Sequence, residues 1–277
     1  MKKWYAVIGS PIDHSKSPIM HNSWFEQLEI DATYIPIRVE PENLEEALHA
    51  MTILGCEGFN VTVPLKEKII PFLSAIDPSA QAIGAVNTVK KTENGWIGYN
   101  TDGIGFVKAF ENDFGKSLRM AKGLVIGAGG AARGIVDALK NSGYMDVDIT
   151  NRTLERALVL QKEFRLANVL EWRNIRDLSM YDFIIQTTSN GLRSSENWPI
   201  QFDTLKRSCK ISDIIYNPWE TQFLHQAKQH QLDVQNGLGM FVHQGAESFY
   251  LWTGQYPNTE KIVSVLETTL GGNHVNR

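Results

Sequence analysis

The run 123–134, GLVIGAGGAARG, has the residue types and spacing that cradle a pyrophosphate. Gly127 permits a tight turn, Gly129 lets the backbone approach the phosphates, and Ala132 is small enough for a helix to pack on the preceding strand. The anion then rests on the free N–H groups at a helix N-terminus, with Ala128, Gly130 and Ala131 completing the turn. A glycine turn alone also serves purely structural ends. Here an apolar strand, Leu124-Val125-Ile126, precedes it and a helical run follows, which is the context a dinucleotide requires.

The residue that reads the adenosine ribose is expected about 20 positions further on, at the end of the next strand. Val147-Asp148-Ile149-Thr150 is that strand, and it runs into Asn151-Arg152-Thr153 in place of an acid. A carboxylate would accept from a free 2′-hydroxyl and repel a 2′-phosphate. A guanidinium grips the phosphate through paired hydrogen bonds, and Arg156 lies one helical turn beyond Arg152. The competing role, two arginines solvating a helix N-terminus, runs against the helix dipole. The pattern therefore points to NADP.

Polar residues cluster in the first hundred positions where a plain scaffold has no need of them. His14-Ser15-Lys16-Ser17-Pro18 sets Ser15 and Ser17 before a helix, with His21-Asn22 one turn in. An N-cap role accounts for one serine but not both. In Asn60-Val61-Thr62-Val63-Pro64-Leu65-Lys66 the alternation puts Asn60 and Thr62 on one face, as in a pocket wall or a solvent-exposed edge. Asn87-Thr88 and Asn100-Thr101-Asp102-Gly103 add amide, hydroxyl and carboxylate groups at strand ends, where open α/β sheets bind ligands.

The elements that must position these groups alternate. Strands are expected at Tyr5–Ile8, Ala32–Val39 and Phe59–Val63, and a hairpin over Ala85–Tyr99 turns at Glu93-Asn94-Gly95. Helices are expected at Pro18–Leu28, Glu42–Leu54, Lys66–Leu73 and Asp102–Phe114. Four further strand–helix alternations run from Leu124 to about Val234, and two helices follow near Met240–Trp252 and Thr259–Leu270. This is an α/β chain of two domains: an N-terminal α/β block, 1–102, completed by C-terminal helices within 240–277, and a Rossmann-type nucleotide domain over 103–239. The active site is expected in the cleft between them, with glycine-containing hinges near Asn100–Gly105 and Gly237–Met240.

The 277 residues are 43% hydrophobic and 21% charged, with a net charge of −4, so neither nucleic acid nor an anionic membrane is favoured as a partner. Cys56 and Cys209 stand in no metal or redox spacing and read as reduced thiols of a cytoplasmic protein. No signal sequence or membrane-spanning run is evident.

Taken together, HSKSPIMHN at 14–22, NVTVPLK at 60–66, GAVNT at 84–88, NTDG at 100–103, GAGGAA at 127–132, NRT at 151–153 and GLGMFVHQGAESF at 237–249 make the chain resemble the shikimate dehydrogenase family. The resemblance spans nearly the whole length. It implies NADPH-dependent reduction of 3-dehydroshikimate to shikimate in aromatic amino-acid biosynthesis. By that resemblance Ser15 and Ser17 hold the substrate carboxylate. Thr62, Lys66, Asn87, Asp102 and Gln244 line the rest of the substrate site with Tyr216 nearby, Asn60 joins them by the alternation above, and Thr188, Ile214 and Gly237 join the cofactor set. The segment Thr187-Thr188-Ser189-Asn190-Gly191-Leu192 departs from the family's usual Asn-Ala-Thr-Ser and Gly-Met.

The implied substrate is a polyol carboxylate whose ketone oxygen gains negative charge on hydride transfer. Lys66 is the candidate to stabilise that charge and exchange the proton, with Asp102 holding the ammonium. Burial and the nearby carboxylate pull the lysine pKa in opposite directions, so Lys66 either shuttles the proton or orients the substrate. Two other readings are a quinate/shikimate dehydrogenase with relaxed substrate or cofactor choice, for which Glu155 is the nearest acid, and a non-catalytic NADPH-sensing regulator. The assembly is expected to be a monomer or a homodimer.

Overall fold

The computed structural model describes residues 2–175, 177–192 and 198–270. In chain order the strands and helices are Lys3–Gly9 (β1), Ser17–Gln27 (α1), Ala32–Arg38 (β2), Leu44–Ile53 (α2), Gly58–Val61 (β3), Ala75–Ile76 (β4), Pro78–Ile83 (α3), Thr88–Thr92 (β5), Gly95–Tyr99 (β6) and Asp102–Phe114 (α4). They continue as Gly123–Ile126 (β7), Gly130–Asn141 (α5), Val147–Asn151 (β8), Leu154–Phe164 (α6), Val169–Glu171 (β9), Phe183–Gln186 (β10), Lys210–Asp213 (β11), Gln222–Gln229 (α7), Asp233–Gln235 (β12), Leu238–Thr253 (α8) and Thr259–Leu270 (α9).

Contacts divide the chain into two units. Residues up to Thr101, joined by Gln244–Leu266, form the first, and the second runs from Asp102 to His243 with the end of α9. Residues 271–277 of the expected C-terminal segment lie outside the described residues.

The first unit holds a six-stranded mixed sheet in the order β2-β1-β3-β5-β6-β4. β1 pairs in parallel with β2 and β3, whereas β5 runs antiparallel to both β3 and β6. Ala6, Ile8, Phe59 and Val61 pack on Leu44, Leu48 and Met51 of α2. On aromatic contacts alone, Tyr5 stacks on Phe25 and Trp252, and Phe249 lies against both Trp24 and Phe25.

The second unit is an all-parallel six-stranded sheet in the order β12-β11-β10-β7-β8-β9, the Rossmann arrangement. Its central strand reads as a continuous apolar run because both faces are covered. Val125 joins a core with Ile135, Val136 and Leu139 of α5, while Leu124 and Ile126 join another with Phe223 and Leu224 of α7.

Two expectations from the sequence are corrected here. The strand-to-strand alternation after Leu124 is less regular than expected, because among the described residues only single 3-10 turns, Trp172–Asn174 and Phe202–Thr204, are helical between β9 and β11. The expected helix at Lys66–Leu73 is a series of turns ending in one 3-10 turn, Ile70–Phe72, because Pro71 has no N–H to continue a helix. The short β4 and α3 stand outside the expected elements.

Candidate active site

In the second unit β7 delivers Ile126 to Gly127, whose φ of +117° favours glycine, and a Cβ there would stand 2.4 Å from Thr187 Oγ1. Gly129 is the extended residue before α5, and among the described residues no side chain caps that helix. Its first N–H groups therefore face a cleft of about 410 Å³, lined by residues 126–131, Asn151, Arg152, Arg156, residues 187–190 and two tryptophans, Trp172 and Trp198. Arg152 and Arg156 are exposed. Asn151 braces the turn that carries Arg152, its amide donating to the Thr153 carbonyl at 2.8 Å. A glycine cradle, an uncapped helix and two guanidinium groups fit a dinucleotide with a 2′-phosphate.

Of the other cofactor candidates, Thr153 precedes α6 and is exposed. Ile214 and Gly237 lie against one another: a Cβ on Gly237 would stand 1.9 Å from the Ile214 carbonyl oxygen. Neither these two nor Thr153 lines the cleft.

The loop 187–190 is fixed from beneath. Gln186, fully buried, donates through Nε2 to the carbonyls of Thr188 and Asn190 and to Asp213 Oδ1, each at 3.2 Å, and accepts from the Thr188 N–H. Asp213, also fully buried, accepts from Ile215 N–H at 3.0 Å and the Thr221 hydroxyl at 2.7 Å. Burial pushes its carboxyl up to about 6 against the pull of those donors. Sequence reasoning missed this pair, although an acid closing the strand Lys210-Ile211-Ser212-Asp213 was a visible signal.

Asp102, half-buried, begins α4. Tyr216 is half-buried and stacks on Phe241 with ring centroids 5.1 Å apart, and burial raises its phenol pKa.

In the first unit hydrogen bonds draw Asn60, Asn87 and Gln244 together. Ser15 Oγ accepts from the Ser17 N–H at 3.3 Å at the start of α1, where Ser17 is buried and Ser15 is half-buried. Thr62 follows β3 and is half-buried, with its N–H bonded to the Ile8 carbonyl at 2.9 Å. Lys66 is half-buried, its carbonyl accepting from Val86 N–H at 2.8 Å. Asn60 and Asn87 sit deeper. The Asn60 Nδ2 reaches the Asn87 carbonyl and Thr88 Oγ1, both at 3.1 Å, and Ser248 Oγ at 3.0 Å, while its Oδ1 accepts from the Tyr34 hydroxyl at 2.7 Å. That side chain is thus occupied within the protein. Asn87 bonds Thr101 and donates to Gln244 Oε1 at 3.3 Å. Tyr34 had no distinguishing pattern in the sequence, whereas Thr88 and Ser248 stood within the motifs at 84–88 and 237–249 without a role of their own. Each is a hydroxyl within an otherwise ordinary strand or helix.

Three family descriptions match the chain: "Shikimate dehydrogenase substrate binding domain" over residues 7–89, "Shikimate / quinate 5-dehydrogenase" over 109–208 and "Shikimate 5'-dehydrogenase C-terminal domain" over 237–267. A shikimate dehydrogenase (NADP(+)) of Lysinibacillus sphaericus is 46% identical over 276 residues, covering 99% of this chain and 100% of that one. A solved structure of shikimate dehydrogenase in complex with NADP+ matches with a TM-score of 0.87 at 36% identity, over 97% of this chain and 96% of that one. The shikimate 5-dehydrogenase of Thermus thermophilus in complex with shikimate matches with a TM-score of 0.84 at 36% identity, over 97% and 99%.

Proposed function

The chain belongs to the shikimate dehydrogenase family, and we propose that its own Lys66 and Asp102 carry the proton transfer of that family's reaction. It is an NADP-dependent oxidoreductase that interconverts 3-dehydroshikimate and shikimate. Bound at the glycine turn of the second unit, NADPH supplies the hydride.

The chain's own residues do the rest. The α5 N-terminus receives the pyrophosphate and Arg152, with Arg156, receives the 2′-phosphate. Ser15 and Ser17 hold the substrate carboxylate, and Thr62, Asn87, Tyr216 and Gln244 bond its hydroxyls, since amides both donate and accept. The Lys66 ammonium stabilises the charge that develops on the ketone oxygen and delivers the proton there. Asp102 orients that ammonium. Asn60 acts from behind, through the side chains it bonds.

The observation that carries the cofactor assignment is Arg152, placed at the end of β8 on the cleft that the glycine turn also lines. An acid there would favour NAD, so relaxed cofactor choice is not favoured, and the relatives' names favour shikimate over quinate. The Lys66 and Asp102 pair speaks against a sensor without turnover. Among the described residues no helix is long and apolar enough to cross a membrane. Buried thiols at Cys56 and Cys209 accord with a cytoplasmic enzyme, and a monomer or a homodimer would serve this chemistry. The test is NADPH consumption with 3-dehydroshikimate, run against NADH and against dehydroquinate. Turnover with NADPH and 3-dehydroshikimate well above the other pairs supports the reading, and equal rates or none overturn it.

A further inference from the structure

We propose that Trp172 and Trp198 form an aromatic wall on which the adenine of the dinucleotide stacks, so that the chain reads the base as well as the phosphates. The proposal deepens the reading of the glycine-turn cleft as the cofactor site and rests on it. The place of the base follows from the phosphate partners. The pyrophosphate belongs at the α5 N-terminus and the 2′-phosphate at Arg152, which follows β8. Adenine is joined to the ribose that carries the 2′-phosphate, so it must lie close to that strand end. β9 neighbours β8 on the side away from the glycine turn, and Trp172 directly follows β9. Trp198, from the connection between β10 and β11, comes to the same place. Its ring centroid stands 6.0 Å from that of Trp172, edge to face at 69°. Both rings line the cleft that the glycine turn, Arg152 and Arg156 also line.

The two rings are held by packing and not by their polar ends. Trp198 rests on Phe223 of α7 with centroids 4.9 Å apart, and Phe202 stands against the same Phe223 at 5.5 Å. Phe202 and Phe223 are buried, so the wall has a firm backing. Trp4, Trp24, Trp96 and Trp252 each donate the indole N–H to a carbonyl or hydroxyl oxygen of the protein. Among the described residues Trp172 and Trp198 make no such bond, and both are only half-buried. A broad π face at the edge of a phosphate cleft suits a purine, which stacks on aromatic rings without needing hydrogen bonds.

The probe is 2′,5′-ADP, which carries the adenine and the 2′-phosphate but no nicotinamide. Replacing Trp172→Leu and Trp198→Leu together keeps apolar side chains in the wall and removes the π faces. Affinity for 2′,5′-ADP, read by calorimetry, should fall about tenfold or more, while Trp172→Phe with Trp198→Phe should stay within about threefold of the unaltered protein. Shikimate affinity should not move. The ligand should quench the indole fluorescence of the unaltered protein and, at saturation, quench that of the leucine variant much less. Unchanged 2′,5′-ADP affinity in the leucine variant, a loss that phenylalanine does not restore, or undiminished quenching overturns the proposal. If the unaltered protein binds neither 2′,5′-ADP nor NADPH, the reading of the cleft itself fails and takes the proposal with it. Thermal melts of both variants establish that they fold.

Discussion

Gln186 and Asp213 form a buried pair, Nε2 to Oδ1 at 3.2 Å, that spans the ends of β10 and β11. Through it the sheet holds the loop that closes one side of the nucleotide cleft. Gln186 bonds the backbone of Thr188 and Asn190, and the loop's own Thr187 and Thr188 hydroxyls add bonds to the Ile126 carbonyl and the Asn190 N–H.

Gln186→Leu should therefore loosen the cofactor loop without touching the substrate unit. The expected result is a KM for NADPH raised about tenfold or more, from several lost hydrogen bonds, with shikimate affinity unaltered. Fluorescence titration with NADPH and calorimetric titration with shikimate check the two halves separately, and equal weakening of both would refute the assignment.

Arg152→Ala should remove charge-assisted bonds to the 2′-phosphate, worth roughly 1.5–3 kcal/mol. NADPH binding falls by about 10- to 100-fold while NADH binding barely moves. Equal losses for the two cofactors would mean that Arg152 serves the turn and not the phosphate.

The glycine turn, Arg152 and the parallel sheet around them were legible in the sequence, because phosphate binding depends on short-range features: a strand, a glycine turn and the residue type at the next strand end. The convergence of Asn60, Asn87 and Gln244 was legible only as motifs. Asn60 bonds Asn87 and Asn87 bonds Gln244 directly, across pairs far apart in sequence, and the Tyr34 hydroxyl that buttresses Asn60 is marked by nothing local. Asp213 was visible as an acid closing a strand, but its pairing with Gln186 across two strands was not, and Asn60, expected at the substrate, is found occupied within the network.

His21 offers a pH test of the first unit's interior. The ring is fully buried, stacks on Tyr34 with centroids 4.3 Å apart, and neither nitrogen meets hydrogen-bond geometry, although Asn60 lies close enough to offset the burial slightly. Burial lowers its pKa from 6.5 to about 3. The unfolded chain thus takes up this proton first, and the folded state resists it. Stability owed to the neutral ring is complete above about pH 6.5 and is lost as pH falls toward about 3, at up to about 1.4 kcal/mol per pH unit. His21→Phe should flatten that part of the profile. Denaturant melts of both proteins at pH 7 and pH 5 give the comparison, and identical pH dependence would show that His21 does not titrate this way.

The account turns on Lys66 as the group that meets the developing charge, and the direct measurement is Lys66→Ala assayed for turnover and for shikimate binding side by side. The account predicts turnover lower by on the order of 10²-fold or more, with shikimate affinity weakened far less. Near wild-type turnover would contradict it outright, and a loss confined to binding would reduce Lys66 to a substrate-orienting residue.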